Sequence, residues 1–185
     1  MSEQDASRYP GDPDGFQRLW TPHRQVYIDS QAGRSQGECP FCVAPGLPEE
    51  DNLVVHEGAL AYAVLNLFPY NSGHLLVCPY RHVAAYTDLT GDEALEVATL
   101  TQAALRVLAR VMAPTGFNLG MNQGAAGGAG VAQHLHQHVV PRWFGDSNFF
   151  PIVARTRALP AILTDTRDRL RRAWADESAT GGDRA

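Results

Sequence analysis

Hydrophobic residues in the middle of the chain fall into short runs that are typical of β-strands. Residues 53–56 and 60–67 form two runs rich in valine, leucine and alanine, and Glu57-Gly58 between them predicts a hairpin turn. Further strands are predicted at 74–79, at 117–121, at 149–154, and through the histidine-containing segment that ends at Pro141. Together these segments indicate a sheet built mostly from antiparallel strands.

Two longer segments have the periodicity of amphipathic helices. Thr90 and Glu93 have the spacing of a capping box, so a helix is predicted to start there and to end before Pro114. Its expected buried face consists of Leu95, Ala98, Leu105, Leu108 and Met112. A second helix is predicted over residues 158–175. Antiparallel strands with helices packed on one face define an α+β fold class.

Chain length and local composition predict one domain with flexible ends. The chain has 185 residues, which is enough for one buried core. Residues 1–15 are rich in glycine, proline, aspartate and serine and are expected to be flexible, and residues 176–185 are expected to be disordered. The folded domain is therefore predicted to span residues 16–175.

Charge and cysteine content narrow the classes of function. A net charge of −5 argues against broad binding to nucleic acid, and no apolar run reaches the roughly 20 residues of a membrane-spanning helix. The N-terminal segment lacks the basic and apolar parts of a secretory signal, so a cytoplasmic protein is expected. Its three cysteines are not expected to form a disulfide framework, and the C-x-x-C pair of Cys39 and Cys42 indicates metal binding or redox chemistry.

Three histidines at alternate positions, His134, His136 and His138, carry the candidate chemistry. In a strand their side chains would share one face and span roughly 13 Å. Two functions remain open for them. One is a metal site formed by all three rings, which this spacing disfavours. The other is a catalytic centre in which the central imidazole, nucleophilic when neutral, attacks phosphorus while its neighbours orient it and bind substrate.

The segment before these histidines predicts a phosphate-binding loop. Residues 122–130 read NQGAAGGAG and carry few side chains larger than a methyl group. A ligand can therefore approach the backbone closely, and successive N–H groups can bind an anion. Such a loop is a weak signal alone and a stronger one directly before a histidine segment.

These motifs together resemble the histidine triad (HIT) family. The loop and the segment HLHQHVV follow the family pattern His-φ-His-φ-His-φ-φ, where φ is apolar, except at Gln137. The resemblance covers roughly residues 38–145. It implies a nucleotidyl hydrolase or transferase that forms a homodimer, with a five-stranded antiparallel sheet, one long helix and one C-terminal helix.

The resemblance also implies roles for individual residues. His136 would attack the α-phosphate of an adenine nucleotide or dinucleoside polyphosphate, while His134 and His138 complete the triad and His138 contacts phosphate oxygens. Nucleotide or phosphate contacts are implied for Asn66, near the ribose, and for the loop residues Asn122, Gly128, Ala129 and Gly130. Trp143 is interpreted either as a packing residue or as a contact to the base. His74 is expected to make a structural hydrogen bond.

A zinc site is implied by the cysteine pair. In zinc-bearing relatives a C-x-x-C pair is completed by a histidine in a Pro-Lys-x-His-like segment and by the first triad histidine. The matching residues are Cys39, Cys42, His82 and His134. The expected metal is a structural zinc, and no organic cofactor is implied. A redox pair or two inert cysteines are the alternatives.

Three longer segments narrow the expected substrate. Residues 18–27, 64–83 and 138–149 resemble the actinobacterial-type diadenosine tetraphosphate (Ap4A) phosphorylases of this family. That resemblance implies cleavage of Ap4A with inorganic phosphate to ATP and ADP. A phosphorylase relative carries serine where this chain has Gly130, so a hydrolase of dinucleoside polyphosphates or AMP-phosphoramidates, with water as acceptor, remains the alternative. A nucleotide-binding protein without turnover is a third possibility, which the intact triad disfavours.

Overall fold

A five-stranded antiparallel sheet forms the centre of the protein. The computed structural model describes residues 38–124, 126–146 and 162–181. The strands are β1 (Val54–Glu57), β2 (Ala61–Leu65), β3 (Leu75–Pro79), β4 (Gly116–Met121) and β5 (Gln137–Arg142). They lie in the order β1-β2-β3-β5-β4, and every neighbouring pair is antiparallel. The predicted α+β class and the five strands are confirmed, and β4 forms one edge of the sheet.

Strands β2 and β3 are buried on both faces, which explains why their sequences are continuous apolar runs. Ala63 and Val77 face the core beneath the helices, whereas Tyr62 and Cys78 belong to a second apolar cluster. The hairpin predicted between β1 and β2 is present. The sheet therefore offers its second face, away from the two long helices, as a platform for other side chains.

The helices are α1 (Pro40–Val43), a single turn, α2 (Gly91–Met112) and α3 (Leu163–Gly181), with 3₁₀ turns at Ala44–Gly46 and Tyr86–Asp88. The predicted capping box is confirmed, because the Thr90 hydroxyl accepts from the Glu93 amide and the Glu93 carboxylate accepts from the Thr90 amide. The prediction of disorder from residue 176 is wrong for residues 176–181, which continue α3. Ion pairs from Glu177 to Arg106 and Arg110 of α2 hold this last part of the helix.

The buried face of α2 differs from the predicted one. Leu95 is 67% exposed, Ala98 is exposed, and Leu105 and Met112 pack at the margin of the core. Of the predicted face, Leu108 alone is fully buried. The buried apolar residues are Val97, Leu100, Ala103, Ala104, Val107 and Leu108. Helical periodicity predicted one apolar stripe on α2, and a different stripe contacts the sheet.

An ion pair fixes the segment that follows β3. Arg81 donates to both carboxylate oxygens of Glu93 at 2.9 and 2.6 Å, and to the Asp88 carbonyl at 2.6 Å. The Arg81 guanidinium is the main cause that lowers the pKa of Glu93 to about 2. Because Glu93 also caps α2, this pair ties the segment that carries His82 to the start of that helix.

Several predictions concern residues outside the described ranges. They are the flexible segment 1–15, the start of the folded domain at residue 16, the strand at 149–154 and the start of the second long helix at residue 158. Within the described residues, no helix combines the length and the apolar character that crossing a bilayer requires.

Candidate active site and metal centre

The predicted strand does not include all three triad histidines. β5 starts at Gln137, so that His138 lies in the strand while His134 and His136 precede it. The Nε2 atom of His134 is 2.9 Å from the carbonyl oxygen of Pro79 at the end of β3. The Pro79 carbonyl thus bonds the ring of His134, at the place where the ladder between β3 and β5 would otherwise continue. The prediction that one strand includes all three histidines is wrong, and the three imidazoles have three different environments.

His136 is fixed in one tautomer by the backbone. Its Nδ1 atom lies 2.8 Å from the His134 carbonyl oxygen. Because a carbonyl can only accept, Nδ1 carries the hydrogen and Nε2 carries the lone pair. The ring is buried, and burial lowers the pKa of His136, although the bond to the His134 carbonyl opposes this in part. His136 is therefore a neutral imidazole at pH 7 with a nucleophilic Nε2.

His138 is held in the opposite tautomer by a chain of hydrogen bonds. The backbone amide of Tyr70 donates to His74 Nδ1 at 3.0 Å, so the neutral His74 ring carries its hydrogen on Nε2. That Nε2–H donates to His138 Nδ1 at 2.9 Å. His138 then carries its own hydrogen on Nε2. The structural hydrogen bond predicted for His74 is confirmed, and it sets which atom of His138 can donate to a ligand.

The rings of His136 and His138 form a pair with complementary chemistry. Their centroids are 5.0 Å apart at an interplanar angle of 70°. One ring offers a lone pair and the other offers an N–H donor. A phosphoryl group between them could be attacked by the first while the second stabilises negative charge on its oxygens.

A second cluster, formed by Cys39, Cys42, His82 and His134, lies next to this pair. The four ligand atoms are all within 4.8 Å of one another. Cys42 Sγ is 3.2 Å from His82 Nδ1, and both sulfurs are 3.4 Å from His134 Nδ1. Sulfur and nitrogen ligands of a tetrahedral zinc ion lie roughly 3.5 Å apart, given Zn–S and Zn–N bonds of about 2.3 and 2.0 Å. The spacing of this cluster therefore fits one zinc ion.

The tautomer of His134 also fits a metal ligand. Since its Nε2–H donates to the Pro79 carbonyl, the lone pair is on Nδ1, the atom that faces both sulfurs. Burial is the main cause that lowers the pKa of His134, which favours the neutral, ligating form. His134 thus links the two groups: its ring belongs to the cysteine–histidine cluster, and its carbonyl orients His136.

The predicted phosphate-binding loop connects β4 to the histidine segment. Asn122 follows directly after β4, and Gly128, Ala129 and Gly130 are partly buried. Gly128 has a φ of 80°, a conformation that favours glycine, and the Ala129 amide donates to the Gly124 carbonyl at 3.4 Å. Gly130 precedes His134 by four positions in the sequence, and the contact of the loop with phosphate stays a prediction.

Asn66 and Trp143, the other predicted nucleotide contacts, have defined polar partners. The Asn66 side chain accepts from the Phe68 amide at 3.0 Å, and its nitrogen is 3.3 Å from His74 Nδ1. The Trp143 amide donates to the Asp146 carboxylate at 3.1 Å. Asn66 therefore lies beside the chain of bonds that orients His138, and the nucleotide contacts of both residues stay predictions.

Phe41 is a site residue that sequence reasoning missed. Its ring centroid lies 4.8 Å from that of His136 and 5.6 Å from that of His134. The signal available in the sequence was its place between Cys39 and Cys42, and nothing in that spacing indicates a contact with a histidine about a hundred residues later.

The sheet, the paired imidazoles and the adjoining cysteine–histidine cluster define a class of α+β proteins with a histidine centre at the start of an interior strand. The chain belongs to the HIT domain family, whose match covers residues 48–145. It is 47% identical over 172 residues to a Mycobacterium tuberculosis protein named AP-4-A phosphorylase, covering 89% of this chain and 88% of that relative. The predicted family is confirmed.

Solved structures with the same fold agree with this membership. A zinc-bound histidine triad family protein from Mycobacterium smegmatis has a TM-score of 0.62 and 27% identity, covering 77% of this chain and 97% of that one. A hypothetical histidine triad nucleotide-binding protein from Sulfolobus tokodaii has a TM-score of 0.64 and 25% identity, covering 79% and 98% of the two chains.

Proposed function

We propose that this protein is an Ap4A phosphorylase, which transfers AMP from diadenosine tetraphosphate to inorganic phosphate and releases ATP and ADP. The observation that carries the proposal is the pair of opposite tautomers: a lone pair on His136 Nε2 beside an N–H on His138. The M. tuberculosis relative, 47% identical, bears the name of this activity, which supports the choice of substrate.

In the first step, His136 Nε2 attacks the α-phosphorus of Ap4A. A P–N bond forms while the P–O bond to the ATP leaving group breaks, which leaves AMP on the histidine. The His138 Nε2–H donates to a phosphoryl oxygen as charge develops there. The imidazolium formed at His136 keeps its Nδ1–H bond to the His134 carbonyl, which stabilises the positive charge.

In the second step, an oxygen of inorganic phosphate attacks the same phosphorus. The P–N bond breaks, ADP leaves, and His136 returns to its neutral form. Water attacking the same intermediate would give AMP instead. Gly130 offers no hydroxyl to a second anion, so the hydrolase remains the alternative and differs from the phosphorylase only in the acceptor.

We propose that Cys39, Cys42, His82 and His134 hold one structural zinc ion, which supplies a cross-link between α1 and the histidine segment. The zinc-bound neighbour from M. smegmatis supports this assignment. Two thiolate ligands require a reducing compartment, in keeping with the proposed cytoplasmic location. The ring of His134 takes no part in the bond making, bond breaking or proton transfer of the reaction.

Product analysis with Ap4A, in the presence and absence of phosphate, tests the proposed reaction. With phosphate, equal amounts of ATP and ADP are expected to accumulate over many turnovers. Without phosphate, ATP should stop at about one equivalent per site, because AMP remains on His136. Chromatography separates all three nucleotides. AMP and ATP in both conditions would establish the hydrolase, and tight binding of Ap4A without any product would refute an enzyme.

We further propose that two copies of the chain associate through β4. This strand is at the edge of the sheet, its Leu119 is 51% exposed, and a groove of about 400 Å³ separates it from α2. Symmetric pairing of β4 from each of two copies would satisfy the backbone hydrogen-bonding groups at this edge of both sheets and cover the groove. Sedimentation equilibrium should give twice the chain mass for the wild type and the chain mass for Leu119→Glu. A monomeric wild type would contradict the proposal.

A further inference from the structure

We propose that Phe41 is a positioning residue, which couples the cysteine–histidine cluster to the ring of His136. This inference rests on the proposed function, because it takes His136 as the nucleophile. Phe41 lies between two of the four cluster residues in sequence, and its ring lies against the nucleophile in space. The consequence is that metal occupancy controls the reaction rate without the metal contacting the substrate.

The backbone of Phe41 is fixed from two directions. The amides of Cys42 and Val43 donate to the Cys39 carbonyl at 3.0 and 3.1 Å and close the α1 turn. The carbonyl of Phe41 accepts from the hydroxyl of Tyr62 at 2.5 Å, and Tyr62 is fully buried in β2. The α1 turn is therefore attached to the sheet by the Tyr62 hydrogen bond and to the cluster histidines by its two cysteine side chains.

The ring of Phe41 supplies one of three restraints on His136. It packs against the His136 ring at an interplanar angle of 43° and meets the His134 ring nearly edge-on at 72°. The other two are the hydrogen bond from His136 Nδ1 to the His134 carbonyl and the contact with the His138 ring. A hydrogen bond at one ring atom still allows the plane to rock about it, so the ring contacts limit the direction of Nε2.

Two of these restraints, the Phe41 ring and the His134 carbonyl, depend on the metal cluster. His134 is one of its four residues, and Phe41 is flanked by two others. The α1 turn contains no fully buried residue, and Phe41 packs only at the margin of the second apolar cluster, so the cysteines supply part of what holds the turn in place. Loss of the metal should therefore loosen the Phe41 ring and let His136 Nε2 sample unproductive directions.

The test compares four variants in a single-turnover assay of AMP transfer to His136, with metal bound and after chelation. Phe41→Ala removes the ring, Phe41→Leu keeps an apolar side chain without a flat face, and Phe41→Tyr restores the ring. Val43→Ala is the matched control, since it truncates an apolar residue of the same turn. A misplacement of about 1 Å costs up to roughly 100-fold in rate, so a loss of about tenfold is expected for a ring that rocks.

The expected pattern is a metal dependence that requires the ring. Wild type, Phe41→Tyr and Val43→Ala should each lose about tenfold in the rate of AMP transfer on chelation. Phe41→Ala should start about tenfold lower with its metal still bound, with the Ap4A concentration for half-maximal rate unchanged, and should lose much less than the wild type on chelation, because only the restraint through His134 is left to lose. Phe41→Leu should fall between these cases. Metal analysis of each variant confirms occupancy.

Spectra of ¹⁵N-labelled histidine report on the same ring without substrate. The ring signals of His136 should be sharp in the metal-bound wild type and broadened in Phe41→Ala. Wild-type rates for Phe41→Ala, an undiminished chelation effect in that variant, or loss of its metal would each overturn the coupling. If the wild type transfers no AMP while the spectra change as expected, the proposed function fails and the positioning of His136 by Phe41 stands.

Discussion

His136→Ala is expected to lower the rate of AMP transfer from Ap4A by roughly 10,000-fold or more, the effect that removal of a covalent nucleophile has in other enzymes. The reason is specific to one atom. Within the proposed pair, His136 Nε2 carries a lone pair, whereas His138 presents an N–H and His134 directs its own lone pair toward two sulfurs. Neither neighbour can replace the missing nucleophile.

Two measurements separate this loss of chemistry from a loss of structure. With Ap4A labelled in the α-phosphate, the wild type should acquire an acid-labile, protein-bound label, and the variant should acquire none while still binding the nucleotide. His56→Ala is the matched control, because His56 stacks on Trp174 away from the triad and should keep full activity. Labelling of His136→Ala, or turnover above the stated level, would show that the nucleophile is elsewhere.

The strands were predictable because their signal is local. Continuous apolar runs at 60–67 and 74–79 correspond to β2 and β3, which are buried on both faces and therefore admit few polar side chains. The start of α2 was equally local, since a capping box needs only Thr90 and Glu93. Which stripe of α2 faces the sheet depends on distant residues, and that part of the prediction was wrong.

The register of the triad was not predictable from its alternation. An i, i+2, i+4 pattern implies one face only where the strand ladder is continuous. Pro79 has no amide hydrogen, its carbonyl accepts from the ring of His134, and the Leu135 amide bonds the Val83 carbonyl at 2.6 Å. These bonds replace the strand ladder up to His136, so β5 starts only at Gln137. The resemblance to the HIT family assigned three separate roles to the rings, and the structure provides three environments that suit them.

The residues that orient the reacting rings leave no recognisable pattern in the local sequence. The four residues of the cysteine–histidine cluster were implied by the resemblance to zinc-bearing relatives, and the structure brings their ligand atoms within 4.8 Å of one another. His74 and Phe41 act through a hydrogen bond and a ring contact across 64 and 95 sequence positions, respectively, the latter to His136. These two contacts depend on the pairing of β3 with β5 and on the formation of the cysteine–histidine cluster. Local sequence patterns predict neither the pairing nor the cluster.

Cys42→Ala is expected to reduce the metal content from about one zinc per chain to nearly none and to destabilise the fold by about 4 kcal/mol, the linkage energy of a metal present at roughly 1,000 times its dissociation constant. The cluster has four ligand atoms within 4.8 Å, and removing one leaves an open site with three. Chemical denaturation with and without added zinc measures the loss, and the zinc-dependent part should vanish in the variant.

Cys78→Ala is the matched control for that prediction, because it removes the same thiol from a different environment. Cys78 is fully buried in β3 within an apolar cluster and is not among the four cluster residues. Its loss should cost stability through the cavity that it leaves, about 1 kcal/mol for a change of this size, while the zinc content stays at about one per chain. Equal zinc contents in the two variants would contradict the proposed site. Loss of zinc in Cys42→Ala should also lower AMP transfer, because the same cluster restrains His136 through His134 and Phe41.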